Sequence, residues 1–259
     1  MKLGAQFFTL REQCQDLDGF AESLKKVADI GYKYVQISGT CAYEPTWLKE
    51  QLDKNGLSCV LTHIPAARVR DEVEQVIADH EVFGCKHIGI GVSPQFKLLG
   101  EDMQETIDLA KTSGRKMYEA GHLLMYHNHN MELARDTADR RSRLEVLADA
   151  TTAEELGFTL DTYWVQAGGG FITDLTAKLK GRLPCVHAKD LAPHMDDFVN
   201  KMPRMAPVGH GALDWNRLLP AFADAGTEYV IVEQDNTYDE DPFACLKKSY
   251  DFLKAQGLE

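Results

Sequence analysis

The chain has 259 residues, 44 % of them hydrophobic and 26 % charged, with a formal net charge of −12. The length is close to the ~250 residues of a single (β/α)8 barrel, and the apolar fraction supports a sizeable core. The acidic balance repels polyanions and argues against a nucleic-acid partner, and no apolar run approaches the ~18 residues that a membrane span needs.

The opening stretch MKLGAQFFTLREQ has one lysine and a short apolar run broken by Gln6. It reads as a first strand near 3–8 rather than a secretory signal, and the cytoplasm is the expected compartment. An amphipathic helix, FAESLKKVADI, follows and leads through Gly31 into a strand at 33–38. TWLKEQLDKN then precedes a strand at 57–63, and VEQVIADHEVF precedes one at 86–91 after Gly84. The helical stretch TIDLAKTSGRKMYEA leads through Gly121 into a strand at 122–127. Thr152 and Glu155 have the spacing of a capping box just before a strand at 156–161. The run GRLPCVHAKD gives a strand at 183–189, and AGTEYVIV gives the last at 228–233 after Gly226. Asp241-Pro242 sets an N-cap residue before a first-turn proline for the final helix. A glycine between each helix pattern and its strand fits the left-handed residue that closes a helix.

Strands that alternate with helices and read as unbroken apolar runs imply a parallel sheet covered on both faces, and eight such units imply an α/β closed barrel, a single-domain (β/α)8 TIM barrel over 1–259. An open doubly wound sheet would show a glycine-rich fingerprint after its first strand, and QFFTLREQ has none. Six cysteines are present without a CxxC pair, and Cys59, Cys85 and Cys185 sit in apolar runs, so reduced thiols are expected rather than a disulfide framework.

In such barrels function collects where the strands end. The first strand ends in Gln6, Thr9 and Arg11, the second near Gln36 and Ser38, and the third at His63. The fifth ends in HNHNME with His127, His129 and Glu132. The sixth ends at Asp161, with Trp164 three residues on, the seventh at His187, Lys189 and Asp190, and the eighth at Glu233 and Asp235. Singly, an aspartate there is often a helix cap and a histidine a satisfied core group. Together, four strands end in carboxylates and an imidazole aimed at one mouth. That oxygen and nitrogen set suits Mn²⁺, Mg²⁺, Co²⁺ or Zn²⁺.

The ordered motifs GAQFFTLRE, YHNHNMEL, LDTYWVQAGGG, VHAKD, PVGHGALDW and VEQD resemble the sugar phosphate isomerase/epimerase family, the xylose-isomerase-like barrels, which include inosose dehydratases and ketose 3-epimerases. The resemblance spans nearly the whole chain. It implies a divalent metal held by Asp161, His187, Glu233 and, from the fifth strand, Glu132, with His127 or His129 as the fallback. Ketose epimerases of the family carry a glutamate where this chain has His127 and often a histidine where it has Trp164; both departures point away from a simple ketose epimerase.

The expected chemistry is proton transfer next to a carbonyl, through an enediolate, with Glu132 and Glu233 as acid–base groups and His129 and Lys189 assisting. Gln6, Arg11, His63, His127, Trp164 and Arg204 are the expected substrate contacts. The same enolate can expel a neighbouring hydroxyl, so a dehydratase of inosose or 3-keto-sugar type is the alternative. An endonuclease IV-like phosphodiester hydrolase and a sugar-binding protein without catalysis are the readings of other classes. The expected partner is a small carbohydrate, phosphorylated or not, with no nucleic acid or membrane and with self-association left open. The QAGGGF stretch, 166–171, reads as a flexible turn rather than a phosphate loop. The long segment from Leu191 to Leu213, with Lys201 and Arg204, reads as a cover over the site.

Overall fold

A computed structural model of the protein describes residues 1–91, 102–135, 138–194 and 202–259. Eight parallel strands close into a barrel: β1 (Lys2–Gln6), β2 (Tyr34–Ile37), β3 (Ser58–His63), β4 (His87–Ile90), β5 (Leu123–His127), β6 (Gly157–Asp161), β7 (Cys185–Ala188) and β10 (Tyr229–Val232). Seven of them lie within the stretches their apolar runs mark out; β1 overlaps its expected 3–8 but begins at Lys2 and ends at Gln6, where a 3-10 turn, Phe7–Gln13, takes over. Between β7 and β10, β8 (Asp190–Ala192) and β9 (Arg204–Ala206) form a separate antiparallel ribbon. The helices packed around the barrel are α1 (Leu17–Ile30), α2 (Pro45–Asn55), α3 (Ala66–Asp71), α4 (Val73–Phe83), α5 (Asp102–Leu109), α6 (Arg115–Glu119), α7 (Arg143–Ala150), α8 (Thr162–Ala167), α9 (Ile172–Lys178), α10 (Trp215–Ala225) and α11 (Pro242–Ala255).

The two-residue period of a strand sorts the side chains. Leu3, Val35, Ile88, Leu124, Phe158, Val186 and Val230 face outward, into a buried layer shared with Phe20, Leu24, Val76, Phe222 and Leu246 of the helices. The alternate positions face the barrel interior, where Leu61, Met125, Cys185 and Ile231 form a smaller apolar plug. One period further along the same inward rows lie His63, His127, His187 and Glu233. The plug therefore closes the barrel below them, and polar chemistry is confined to the C-terminal end.

The glycines ahead of four strands behave as expected. Gly31, Gly84, Gly121 and Gly226 have φ of 123°, 72°, 87° and 88°. Asp241 caps α11 by accepting from the Phe243 and Ala244 amides. All six cysteines are free thiols. Among the described residues no helix is long and apolar enough to cross a membrane.

Two local expectations are corrected. Glu155 Oε2 does accept from the Thr152 amide at 2.8 Å, but the segment is a turn leading into β6, because too few residues separate it from the strand for a helix. The true capping box is Ser142 with Glu145, at the start of α7. The helix expected over 106–120 is interrupted by a π turn at Ala110–Gly114. This turn presses Gly114 so close to the Glu155 carbonyl that a Cβ would lie 2.1 Å from the oxygen.

The segment from Leu191 to Leu213 is not a plain loop. The β8–β9 ribbon begins it, and Lys201 lies outside the described residues. Asp190 organises the rest. Its Oδ1 accepts from the Leu191 and Leu213 amides, at 2.8 and 3.1 Å. Its Oδ2 accepts from the Gly209 and Gly211 amides, at 2.9 and 3.2 Å, and from the Trp215 indole at 2.7 Å. A Cβ on Gly211 would stand 2.3 Å from Asp190 Oδ1, and one on Gly209 2.2 Å from the Phe252 ring. This explains the two glycines of PVGHGALDW: Gly211 lies too close to the Asp190 carboxylate for a side chain, and Gly209, at φ 81°, too close to the Phe252 ring. Replacing Asp190 with alanine strands five donors around a buried position, and each loses a charge-assisted bond. The Asp190→Ala protein should lose about 3 kcal/mol or more of unfolding free energy in urea titration. A change within about 0.5 kcal/mol, the range of ordinary surface substitutions, would contradict this role.

Candidate active site

The C-terminal ends of β5, β6, β7 and β10 bring His127, Asp161, His187 and Glu233 together. One potential ligand atom from each lies within 4.8 Å of all the others, and all four residues are buried. Asp161 Oδ2 is 3.1 Å from His127 Nε2 and 3.7 Å from His187 Nδ1, and His187 Nδ1 is 2.7 Å from Glu233 Oε2. Asp161 has two tasks, since its Oδ1 also caps α8 by accepting from the Trp164 amide at 2.9 Å. Asn128 steadies the same strand end, its Oδ1 accepting from the Asp161 amide at 3.0 Å.

Lys189 stands beside this group, 1 % exposed. Its Nζ is 3.0 Å from both Asp161 Oδ2 and Glu233 Oε2 and 2.8 Å from Asp235 Oδ1. Burial alone would push the Asp161 and Glu233 carboxyls up. The Lys189 ammonium, helped by the imidazoles, outweighs that and holds both well below the usual carboxylate range. Asp235 is pushed the other way, to about 7, by burial and the Glu233 charge, with Lys189 opposing. Burial and the neighbouring His187 push His127 down to about 3, and burial also lowers His63 and His129, so these rings are neutral near pH 7. His187 is the exception. Burial lowers its pKa, but the Glu233 and Asp161 charges raise it above the ordinary value.

The donors fit a divalent metal. His187 Nε2 donates to Gln36 Oε1 at 2.7 Å, and this directs Nδ1 toward the carboxylates, as an outer hydrogen bond does for a ligating histidine. At 2.7 Å, the Nδ1 and Glu233 Oε2 lone pairs repel unless a proton or a cation lies between them. Two imidazoles and two carboxylates suit Zn²⁺, Mn²⁺ or Co²⁺ better than Mg²⁺, which favours oxygen donors.

Glu132 is placed differently from the expectation that it joins the ligand set. It lies in a 3-10 turn, Met131–Leu133, where Oε1 accepts from the Tyr126 hydroxyl at 2.7 Å and Oε2 from the His129 amide at 2.9 Å. Its carboxyl is buried and its pKa is raised by that burial, against the pull of those bonds. The fifth-strand member of the four-residue group is the fallback, His127.

The imidazoles form a wall of tilted and edge-on rings. The His127 ring lies 4.4 Å from that of His187, 4.7 Å from His129 and 5.1 Å from His63, and the His129 ring is 5.4 Å from Trp164. Gly89 makes room for this, since a Cβ there would meet the His63 ring at 2.6 Å. Five side-chain atoms here are buried without a hydrogen-bond partner among the described residues: Gln6 Nε2, Gln36 Nε2, His63 Nε2, His129 Nδ1 and Trp164 Nε1. Buried polar atoms are normally paired, so such a concentration marks a place built for a polar ligand.

Arg11 and Arg204 have other contacts. Arg11 lies over the Phe8 ring and donates to the Phe8 carbonyl at 2.9 Å, while Arg204 is exposed on the ribbon with its guanidinium 4.1 Å from the Tyr238 ring centre. Tyr126 escaped sequence reasoning because it passes for one more apolar wall residue in LLMY; its hydroxyl has no sequence signal. Asp235, two residues past Glu233 on the same side of an extended chain, was legible by spacing.

A family model described as a xylose isomerase-like TIM barrel matches residues 24–256. No curated protein matches the sequence. Among solved structures, a sugar phosphate isomerase/epimerase from Parabacteroides distasonis ATCC 8503 superimposes with a TM-score of 0.79 at 18 % identity, over 98 % of this chain and 93 % of that one. An L-ribulose 3-epimerase gives 0.75 at 15 % identity over 98 % and 95 %. A protein described as the probable 3-DHS dehydratase involved in petrobactin synthesis, from Bacillus anthracis, gives 0.71 at 13 % identity over 98 % and 99 %. At such identities these likenesses concern the fold.

If the four grouped residues form the metal site, Asp161→Ala and His187→Ala should each carry little metal in elemental analysis with unchanged far-UV circular dichroism. Glu132→Ala should keep wild-type stoichiometry. Full occupancy of Asp161→Ala would contradict the assignment.

Proposed function

The chain belongs to the xylose isomerase-like TIM barrel family, and from that premise we propose that it is a metal-dependent enzyme moving a proton at a carbon next to the carbonyl of a sugar or cyclitol. The observation that carries this reading is the pairing of a four-donor group with a separate buried carboxylate of raised pKa, Glu132. A divalent ion held by His127, Asp161, His187 and Glu233 would supply an electrophile that polarises the carbonyl.

The chain's own residues divide the remaining work. Glu132 is the base. Tyr126 and the His129 amide fix its orientation, and a carboxyl whose pKa is raised by burial is better matched to taking a proton near neutral pH. Lys189 keeps Asp161 and Glu233 ionised and so fit to act as ligands. His63 Nε2, His129 Nδ1, Gln6 Nε2 and Trp164 Nε1, unpartnered among the described residues, orient substrate hydroxyls. When the proton returns to the opposite face of the same carbon the outcome is epimerisation; return to the neighbouring carbon gives isomerisation.

Elimination is the second reading, and Trp164 favours it. Its indole N–H is a fixed donor that can neither take nor return a proton, so on its side of the site it holds an oxygen without carrying a proton. The proton that Glu132 takes from the carbon can then be handed to the departing hydroxyl, so that water leaves and the carboxylate is regenerated.

The test is α-proton exchange in D₂O by the metal-loaded protein against ketoses, ketose phosphates, inososes and 3-keto sugars. Glu132→Gln should lose about 10²-fold or more in exchange rate while keeping its metal, the usual scale for a general base. Glu233→Gln should lose activity together with metal affinity. Exchange by Glu132→Gln at the wild-type rate would overturn its role, and absence of exchange by the wild type on every sugar would overturn the reaction.

A further inference from the structure

Beside His63 lies a cavity of about 420 Å³, bounded by the segments after β2 and β3 and by one side of α4. This volume is within the roughly 300–1,000 Å³ of ordinary small-molecule sites. His63 belongs to both places. The residue lines the cavity, and its ring stands 5.1 Å from the His127 ring and 5.6 Å from the His187 ring. A ligand seated at the four donors and extending past His63 would enter this space.

The electrostatics of the lining select what can enter. Arg68 is the cavity's arginine, and it is already engaged: its Nε bonds Glu72 Oε2 at 3.2 Å and its Nη2 bonds Asp79. The other Asp79 oxygen accepts from Gln75 Nε2 at 2.7 Å. Glu44 adds a third carboxylate. A phosphate would face one guanidinium shared between two carboxylates and a further negative charge in the wall, an arrangement that repels it. The hydroxyls of Ser38 and Thr40, the Gln75 amide and the Tyr43 ring offer hydrogen bonds and an aromatic face, the combination that suits an uncharged polyhydroxylated ring.

We propose that this cavity receives an uncharged second unit, a glycosyl or similar neutral group joined to the reacting sugar, so that the substrates are extended carbohydrates without phosphate. The assignment rests on the proton-transfer reading of the adjoining site, and binding measurements separate the two. Saturation-transfer NMR titrations on the full-length, metal-loaded protein would compare methyl β-cellobioside, glucose and glucose 6-phosphate. The disaccharide should bind at least about tenfold more tightly than the phosphate, a difference well within what a few polar contacts supply. Gln75 is exposed on α4, so Gln75→Trp can fill the cavity while leaving the fold intact. It should lower the ratio of disaccharide to glucose affinity by about tenfold. Asp79→Asn, which frees Arg68 from one partner, should strengthen glucose 6-phosphate binding. Glucose 6-phosphate binding as tightly as the disaccharide, or an affinity ratio unmoved by Gln75→Trp, would overturn the proposal. Disaccharide binding that responds to Gln75→Trp, with no α-proton exchange on any carbonyl sugar, would support the cavity and overturn the reaction.

Discussion

A single ammonium group, Lys189 Nζ, lies within 3.0 Å of Asp161, Glu233 and Asp235 at a position shut off from solvent. Three carboxylates converging in a low-dielectric space would otherwise repel one another and take up protons. One cation among three anions lets Asp161 and Glu233 stay ionised and leaves Asp235 with its pKa pushed up to about 7. The site is thus short of positive charge even with Lys189 in place. A divalent ion would remedy that shortage, and either a proton or a cation between His187 Nδ1 and Glu233 Oε2 would relieve their 2.7 Å approach.

The barrel makes this arrangement sustainable. Successive inward positions are set by the strand period, so the apolar plug of Leu61, Met125, Cys185 and Ile231 lies beneath the polar group without mixing with it. Around the mouth, most of the support comes from backbone-directed bonds. Asn128 holds the Asp161 amide, Thr162 Oγ1 donates to the Lys189 carbonyl at 2.6 Å, and Asp190 gathers the loop after the ribbon. Residues so firmly held can leave donors such as His129 Nδ1 and Trp164 Nε1 unpartnered, at a cost in stability that a bound polar ligand would offset.

The barrel was legible because its signals are local. Apolar runs, those after the first preceded by helical segments and several of them by a glycine, locate the strands, and the positive φ values at Gly31, Gly84, Gly121 and Gly226 are the physical content of that pattern. Asp161, His187 and Glu233 were legible because they sit at strand ends. Whether Glu132 or His127 joins them was not, because it turns on how the chain folds back after β5. That turn is set by Tyr126 and the His129 amide, contacts between groups with no shared sequence signature. Arg11 and Arg204 were chosen for charge and approximate position, yet their partners are the aromatic rings of Phe8 and Tyr238. The π turn at Ala110–Gly114 escaped notice for a similar reason, since the close approach to Glu155 comes from a segment about forty residues away.

The central claim is that His127, rather than Glu132, completes the metal site and that Glu132 is thereby free to act as a base. Anomalous diffraction from crystals grown with Mn²⁺ tests it most directly. The account predicts one anomalous peak among His127, Asp161, His187 and Glu233, with the Glu132 carboxylate still bonded to Tyr126. A peak coordinated by Glu132 in place of His127 would contradict it.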